Sequence, residues 1–384
     1  MLLPFHYAVR NLYRDKARLL QTIGGSALVV MLVMGAYALN DGMRRTLQAS
    51  GSPRNTILLG TGSEESMQRS EVAERAAGIA EASLSGLHEV MGTRAVSPEI
   101  IHMAYLKMPD GTQARGMVRG VTAGALLTHP EVALLEGRFP GPGEVMAGRL
   151  AWKRFGVNEG ALRPGDRIQF DSASLEISGV FAAPGTVMES EIWLNLNDLR
   201  TLAQRETVSS IIVRRDTADE DDIALFTRQR LDLELTAINE RAYYQKLAAF
   251  YAPVRLMTWL TAMLIAVSAV FGGLNTLYAA FASRVREVAT LQAMGFRRFA
   301  VVISFIQESM MTALIGTLLG ALVATVALTD RVVHLSAGAF YLRIGPEALL
   351  SGITAGVLLG LIGAMPPAIR CLKPSLPRAL REAS

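Results

Sequence analysis

The residues most able to do chemistry with a partner lie in one charged segment, Ser283 to Phe299, SRVREVATLQAMGFRRF. Arg284, Arg286 and Glu287 open it, and Val288, Leu291 and Met294 recur three residues apart, the spacing of one helical face. Gly295 supplies a helix stop, with Arg297 and Arg298 beyond it. Such a helix offers charge-assisted contacts together with apolar anchors. It suits either a docked protein or lipid headgroups, the latter worth about 1 kcal/mol per basic residue at an anionic surface. A second candidate is Glu308, the one acid inside a long apolar run, where an ionisable residue is a functional candidate by default. It follows Arg298 by about 15 Å of helix, so pairing with a basic neighbour is the reading favoured over proton transfer.

Catalytic constellations are missing. No Gly-Lys dipeptide occurs, so there is no phosphate-cradling Walker loop. The five histidines (His6, His88, His102, His129 and His334) are scattered and form no zinc spacing with Cys371, the single cysteine. No G-x-S-x-G elbow is present. The acids Asp219 to Asp222 read as a solvated helix start that complements the dipole, not as a metal site. The chain is therefore expected to be no enzyme, to bind no cofactor and to hold no metal.

The elements that must position the charged segment are apolar runs. Leu256 to Ala282 has no charge, and Ala300 to Thr329 has only Glu308. Leu19 to Asn40 and Ala348 to Ile369 are also uncharged. Each approaches or exceeds the roughly 20 residues that cross a bilayer. For the first run a cleaved signal peptide competes with a retained span. Ala36-Tyr37-Ala38 resembles a cleavage site, but the run exceeds the about 7–15 residues of a signal core, which favours a span.

Between the first two runs, residues 41–252 carry 23 basic and 28 acidic residues, leaving 15 and 6 elsewhere. The high pI thus comes from the segments flanking the apolar runs and gives no support for nucleic-acid binding. This stretch reads as an α+β domain, in one or two lobes. Strands are expected at Asn55 to Leu59 and at Ile100 to Met108 and Gln113 to Val121 around a Pro109 to Thr112 turn. Helices are expected at Glu71 to Ser83 and Glu144 to Phe155. The N-terminus, the Arg284 to Arg298 loop and the tail after Ile369 carry four basic residues each, against two in the loop from Asp330 to Glu347. Positive-inside logic places both termini and the charged loop in the cytoplasm.

The expected fold is thus an α-helical membrane protein with four transmembrane helices and a large α+β extracytoplasmic domain between spans one and two. The segments are 1–18 (cytoplasmic), 19–40 (span), 41–252 (outer domain), 253–282 (span), 283–299 (cytoplasmic helix), 300–329 (span), 330–347 (short outer loop), 348–369 (span) and 370–384 (cytoplasmic tail). Glycines at four-residue spacing, such as Gly316 and Gly320 or Gly352, Gly356 and Gly360, allow close helix approach, within one bundle or across a dimer seam.

Three stretches carry a resemblance. Asn275 to Gly295, with its Arg-x-Arg-Glu-Val-Ala-Thr-Leu-Gln-Ala-Met-Gly core, is similar to the signature of the FtsX-like permease domain. The tail Pro366 to Glu382 resembles that family's closing basic run, and Ala8 to Leu12 followed by Arg14, Lys16 and Arg18 resembles its N-terminal pattern. In the middle, Glu136 to Phe139, Gly143 to Val145, Gly165-Asp166 and Ile177 to Phe181 resemble the MacB-type periplasmic core domain. The resemblance implies an ABC transporter permease of the MacB/LolC/FtsX superfamily in a bacterial inner membrane. It implies a homodimer or heterodimer of permeases beside two copies of a separate ATPase subunit, which binds the ATP and Mg. Unlike MacB itself, this chain shows no fused ATPase. Residues Arg284, Arg286, Glu287, Val288, Leu291, Met294 and Gly295 would dock on the ATPase and couple its closure to the outer domain. Efflux of a hydrophobic or amphipathic cargo, with a periplasmic adaptor and outer-membrane channel, stands beside lipoprotein release and FtsX-like signalling to a cell-wall hydrolase. No residue identifies the cargo.

Overall fold

Short apolar runs bounded by turn residues build the larger of two units. A computed structural model describes residues 5–12, 16–282, 285–335 and 338–370. The chain divides into one unit comprising Met1–Asp41, Pro253–Arg331 and Leu342–Ser384, and another comprising Gly42–Ala252 with Val332–Tyr341.

The second unit is built on a ten-stranded sheet. Its strands are β1 (Asn55–Gly60), β2 (Val96–Lys107), β3 (Gln113–Val121), β4 (Ala133–Gly137), β5 (Glu144–Gly148), β6 (Arg167–Phe170), β7 (Ala173–Ala182), β8 (Ile192–Asn195), β9 (Ser210–Arg214) and β10 (Leu235–Asn239). They run in the order β10-β1-β9-β2-β3-β8-β5-β7-β4, and β6 pairs with β2 and β7. Two pairings, β3 with β8 and β5 with β7, are parallel and the rest antiparallel. β1 is buried throughout, because Ile57 faces Ile212 on one neighbour and Ile238 on the other. The β2–β3 hairpin closes as expected from Pro109 to Thr112: Gly111 takes φ +87°, and the Thr112 N–H donates to Asp110 Oδ1 at 2.9 Å. Asp219 and Asp222 form a reciprocal capping box on the helix Glu220–Gln229.

Three local expectations are corrected. Glu144 to Phe155 is a strand, β5, followed by a short helix Ala151–Arg154, because β5 is claimed by ladders on both sides. The helix expected from Glu71 begins at Arg75, since the Val72 backbone pairs with Val208. The stretch 330–347, expected as a short loop, contains the hairpin Val332–Leu335 with Gly338–Tyr341. The Ala339 N–H donates to Ser190 Oγ at 3.1 Å, and Lys153 Nζ lies 4.6 Å from the Tyr341 ring centroid.

The first unit contains α1 (Phe5–Leu12), most of α2 (Lys16–Ser50), α4 (Ala252–Ala282), α5 (Val285–Ala293), α6 (Arg298–Leu328) and α7 (Pro346–Arg370). A further helix, α3 (Glu240–Phe250), closes the sheet unit, with Asn239 capping it by accepting from the Arg241 and Ala242 N–H groups. Helices α2, α4, α6 and α7 are long and apolar enough to cross a bilayer.

Glycine lets three of these backbones meet. A Cβ on Gly320 would lie 2.4 Å from the Ala27 carbonyl oxygen, and one on Gly356 would lie 1.8 Å from Thr317 Oγ1. The former neighbour is backbone and has nowhere to move. Gly320→Val should therefore part α2 from α6 and lower the yield of folded protein in membranes, whereas Gly272→Val on α4, which meets open space, should leave the yield unchanged. Size-exclusion profiles of the two variants check this.

Candidate functional site

The charged segment is placed as a short surface helix between two long ones. α5 is ended by Gly295 at φ +94°, and the Phe296 N–H reaches back to the Leu291 carbonyl at 3.1 Å. That bond and the left-handed glycine are the marks of a Schellman stop. Arg284 lies outside the described residues, and of Arg286 only the helical backbone is described. Val288 is 4% exposed and packs with Leu277, Val301, Phe305 and Ala368. Its side chain thus anchors α5 to the helices of its own unit. Glu287 and Leu291 are half-buried on the same side, bordering a small hollow with Phe305. Met294 is 63% exposed and Phe299 is 71% exposed, and Gly295, Arg297 and Arg298 are exposed with them. Among the described side chains of the segment, the most exposed apolar ones, Met294 and Phe299, lie toward its C-terminal end.

Glu308 is buried on α6 and accepts from Arg18 Nη2 at 2.8 Å. This cation comes from α2. Ser304, Ser309 and Thr312 line the same helix in buried positions, and Ser309 Oγ donates to the Gly360 carbonyl at 3.2 Å. This arrangement ties α2, α6 and α7 together by polar contacts.

The sheet unit holds a buried charge cluster that the sequence reading did not single out. Arg119 on β3 makes a two-pronged contact with Glu191, through Nε at 2.7 Å and Nη2 at 2.8 Å, and donates through Nη1 to Glu99 at 2.6 Å. His129 Nε2 lies 2.9 Å from the other Glu99 oxygen, and its Nδ1 is 3.5 Å from Glu131. Trp193 Nε1 donates to Glu191 at 2.9 Å. Glu240 at the start of α3 accepts from the Ser52 N–H and from Asn55 Nδ2. Burial works against the Glu99 charge, but His129 and Arg119 outweigh it and bring its pKa down to about 2. Burial likewise works against protonated His129, but Glu99 and Glu131 outweigh it and raise its pKa to about 10. Burial pushes Glu240 up to about 7. A signal for this cluster existed: Arg119 is the only charge in an otherwise apolar run, Met117 to Val121. Among the described residues, no group of three or more His, Cys, Asp or Glu is placed to hold a metal.

Two family descriptions match the chain. Residues 19–229 match the MacB-like periplasmic core domain, and residues 259–376 match the FtsX-like permease C-terminal region. No curated protein sequence matches. Among solved structures, the chain is similar to the periplasmic region of MacB from Actinobacillus actinomycetemcomitans, with 12% identity and a TM-score of 0.40 over 53% of this chain and 97% of that one. It is also similar to the extracellular domain of the noncanonic ABC-type transporter YknZ from Gram-positive bacteria, with 13% identity and a TM-score of 0.38 over 48% of this chain and 100% of that one. A domain of a putative permease protein from Porphyromonas gingivalis gives 12% identity and a TM-score of 0.34 over 48% and 87%. The first family region covers more than half of the chain, and the second covers α6, α7 and most of α4. The chain belongs to the MacB/FtsX-like family of ABC transporter permeases, a MacB-like periplasmic core domain joined to an FtsX-like permease region.

Proposed function

We propose that this chain is the permease subunit of a MacB/LolC-type transporter, in which ATP hydrolysis by a partner ATPase moves the periplasmic core domain and drives efflux of a hydrophobic or amphipathic substrate. The observation that carries the reading is α5. It is held inward by Val288, and the Gly295 turn after it with the start of α6 presents Met294, Arg297, Arg298 and Phe299 outward at the end of the charged loop. Apolar anchors ringed by arginines suit a protein partner better than a headgroup layer, which needs charge and no ordered apolar contact. On this reading the charged loop and both termini are cytoplasmic, the core domain is periplasmic, and ATP with Mg binds the ATPase. Helix α4 leaves most of its apolar surface uncovered, including Met263, Leu264 and Phe271, which suits a second permease copy and membrane lipid. The large MacB-like core domain is the support for reading efflux ahead of FtsX-like signalling, and lipoprotein release stands beside it as the alternative.

The test separates outward from inward residues. Met294→Glu with Phe299→Glu should weaken ATPase association by about 30-fold or more, the effect of losing hot-spot contacts of about 2 kcal/mol or more. The variant should still insert and melt like the parent. Glu287→Ala with Leu291→Ala should reduce coupling of ATP hydrolysis to core-domain motion, while Val288→Asp should act on stability instead. Undiminished co-purification of the ATPase with the Met294/Phe299 variant defeats the docking assignment. Mass spectrometry of native partners then separates the readings: an adaptor with an outer-membrane channel supports efflux, and a wall hydrolase supports signalling.

A further inference from the structure

The periplasmic core domain contains a cavity of about 1050 Å³ that neither the ATPase coupling nor the transport reading requires. It lies on one face of the β2–β3 ribbon. The register pairs Ile101 with Arg119, Met103 with Met117 and Tyr105 with Arg115, so alternate residues of both strands share that face. The opposite face carries Ile100, Ala104, Leu106 and Val118 and belongs to the core. The cavity wall facing the ribbon comes from Met67 and from Leu247 and Phe250 of α3.

Its chemistry is graded. The middle is apolar and adaptable, because Met67, Met103 and Met117 are unbranched thioethers that fill irregular shapes. The floor is the Arg119–Glu191 pair, already satisfied within the cluster. The rim is charged: Arg69, Arg115, Arg154 and Lys246 stand with Glu64 and Glu65, an excess of two positive charges. Glu64 is held below the usual carboxylate range mainly by its hydrogen bonds to backbone N–H groups, with Lys246 adding a smaller pull. Arg154 and Arg115 are instead neighbours of like sign: burial and the Arg115 charge both push the Arg154 pKa down. Both residues line the cavity, so an anionic group entering it would meet their positive charge and accept charge-assisted bonds. The volume reaches the upper end of the usual small-ligand range of about 300–1,000 Å³.

We propose that this cavity binds an amphiphile with an anionic head and an apolar body, the head on Arg115 and Arg154 and the body among Met103, Met117 and Leu247. A phosphate-headed lysolipid and a fatty carboxylate share this chemistry.

The experiment uses the full chain in phosphatidylcholine nanodiscs, without nucleotide or partner. Three probes carry the same diazirine-bearing acyl chain: a lysophosphatidylglycerol, a lysophosphatidylcholine and a fatty acid. After irradiation, adducts are mapped by peptide mass spectrometry. Adducts from the anionic probes should fall on peptides containing Met103, Met117 or Leu247. They should drop about tenfold or more in Arg115→Gln/Arg154→Gln, the effect of two lost charge-assisted contacts. Met103→Trp should fill the cavity and abolish them, while Tyr105→Phe, a control on the same strand, should not. The ratio of the two anionic probes identifies the head group. The proposal fails if lysophosphatidylcholine labels the cavity equally, if adducts map only to the long apolar helices, or if the double variant labels like the parent. A disulfide between two copies through Met103→Cys would assign the cavity to a second chain and also overturn it. These outcomes do not depend on ATPase docking, so either reading can fail alone.

Discussion

Arg119→Met should destabilise the periplasmic core domain by about 3–5 kcal/mol, the effect of breaking a buried ion pair by removing one partner. The residue is 3% exposed, and its guanidinium holds two buried carboxylates, Glu99 and Glu191. Methionine approximates the volume, so packing survives while the positive charge is lost. Glu99 keeps His129 as a partner, but among the described residues Glu191 is left with only the Trp193 N–H as a buried side-chain donor. Because domains have only about 5–15 kcal/mol of stability, the loss is a large share of the total. Urea unfolding of the full chain, followed through the fluorescence of the fully buried Trp193, reads the effect. Adding Glu191→Gln to Arg119→Met should recover part of it, because the second change removes the stranded charge. Equal stability of Arg119→Met and the parent would show that the cluster contributes no net stabilisation.

Much of the architecture was legible in the sequence because membrane crossing and strand alternation leave signals in single stretches. Four apolar runs, one of them carrying Glu308 and the others uncharged, gave four long helices, and Pro109 to Thr112 gave a hairpin turn. What was hidden depends on tertiary pairing. Glu144 to Phe155 looked helical by local preference, yet Val145 and Met146 are held by strands from distant parts of the chain. The stretch 330–347 looked like a loop because its hairpin has only four residues per strand. At the charged segment, spacing identified an amphipathic helix but not which of its apolar residues faced inward. Val288 and Met294 share a face by periodicity, but α5 ends at Ala293, and the Gly295 turn separates their environments. The charge cluster was hidden for a similar reason: Glu99, Arg119, His129, Glu191 and Glu240 span more than 140 positions and converge only through the sheet order.

That convergence gives the core domain an acid-side stability optimum. The group that sets the alkaline limb is His129. It is faced by Glu99 and Glu131, with Arg119 and Glu240 beyond and the Trp193 ring against its edge. Two cations, Arg119 and protonated His129, balance the buried carboxylates Glu99 and Glu191, so losing the His129 proton leaves a surplus of negative charge. Its folded pKa of about 10 lies above the roughly 6.5 of an unfolded histidine. The folded state therefore binds the extra proton, and the stabilisation is complete below about pH 6.5 and lost as pH rises through about 10. Glu240 acts with the same sign. Burial raises its pKa to about 7 from an unfolded value near 4.3, so stability falls as it ionises across that window. Glu99 acts oppositely: its stabilisation is present above about pH 4.3 and lost as pH falls through about 2. The domain should be most stable near pH 5 and weaken steadily toward pH 10, with His129 contributing up to about 5 kcal/mol of that loss. Urea midpoints of the full chain measured from pH 4 to pH 10 should trace this slope. His129→Gln should lower stability most at pH 5 and flatten the alkaline limb, while Glu240→Gln should remove only the portion between about pH 4.3 and 7. A midpoint that rises between pH 6 and 9 in the parent would mean that His129 is neutral in the folded domain, and the cluster would then carry a net negative charge.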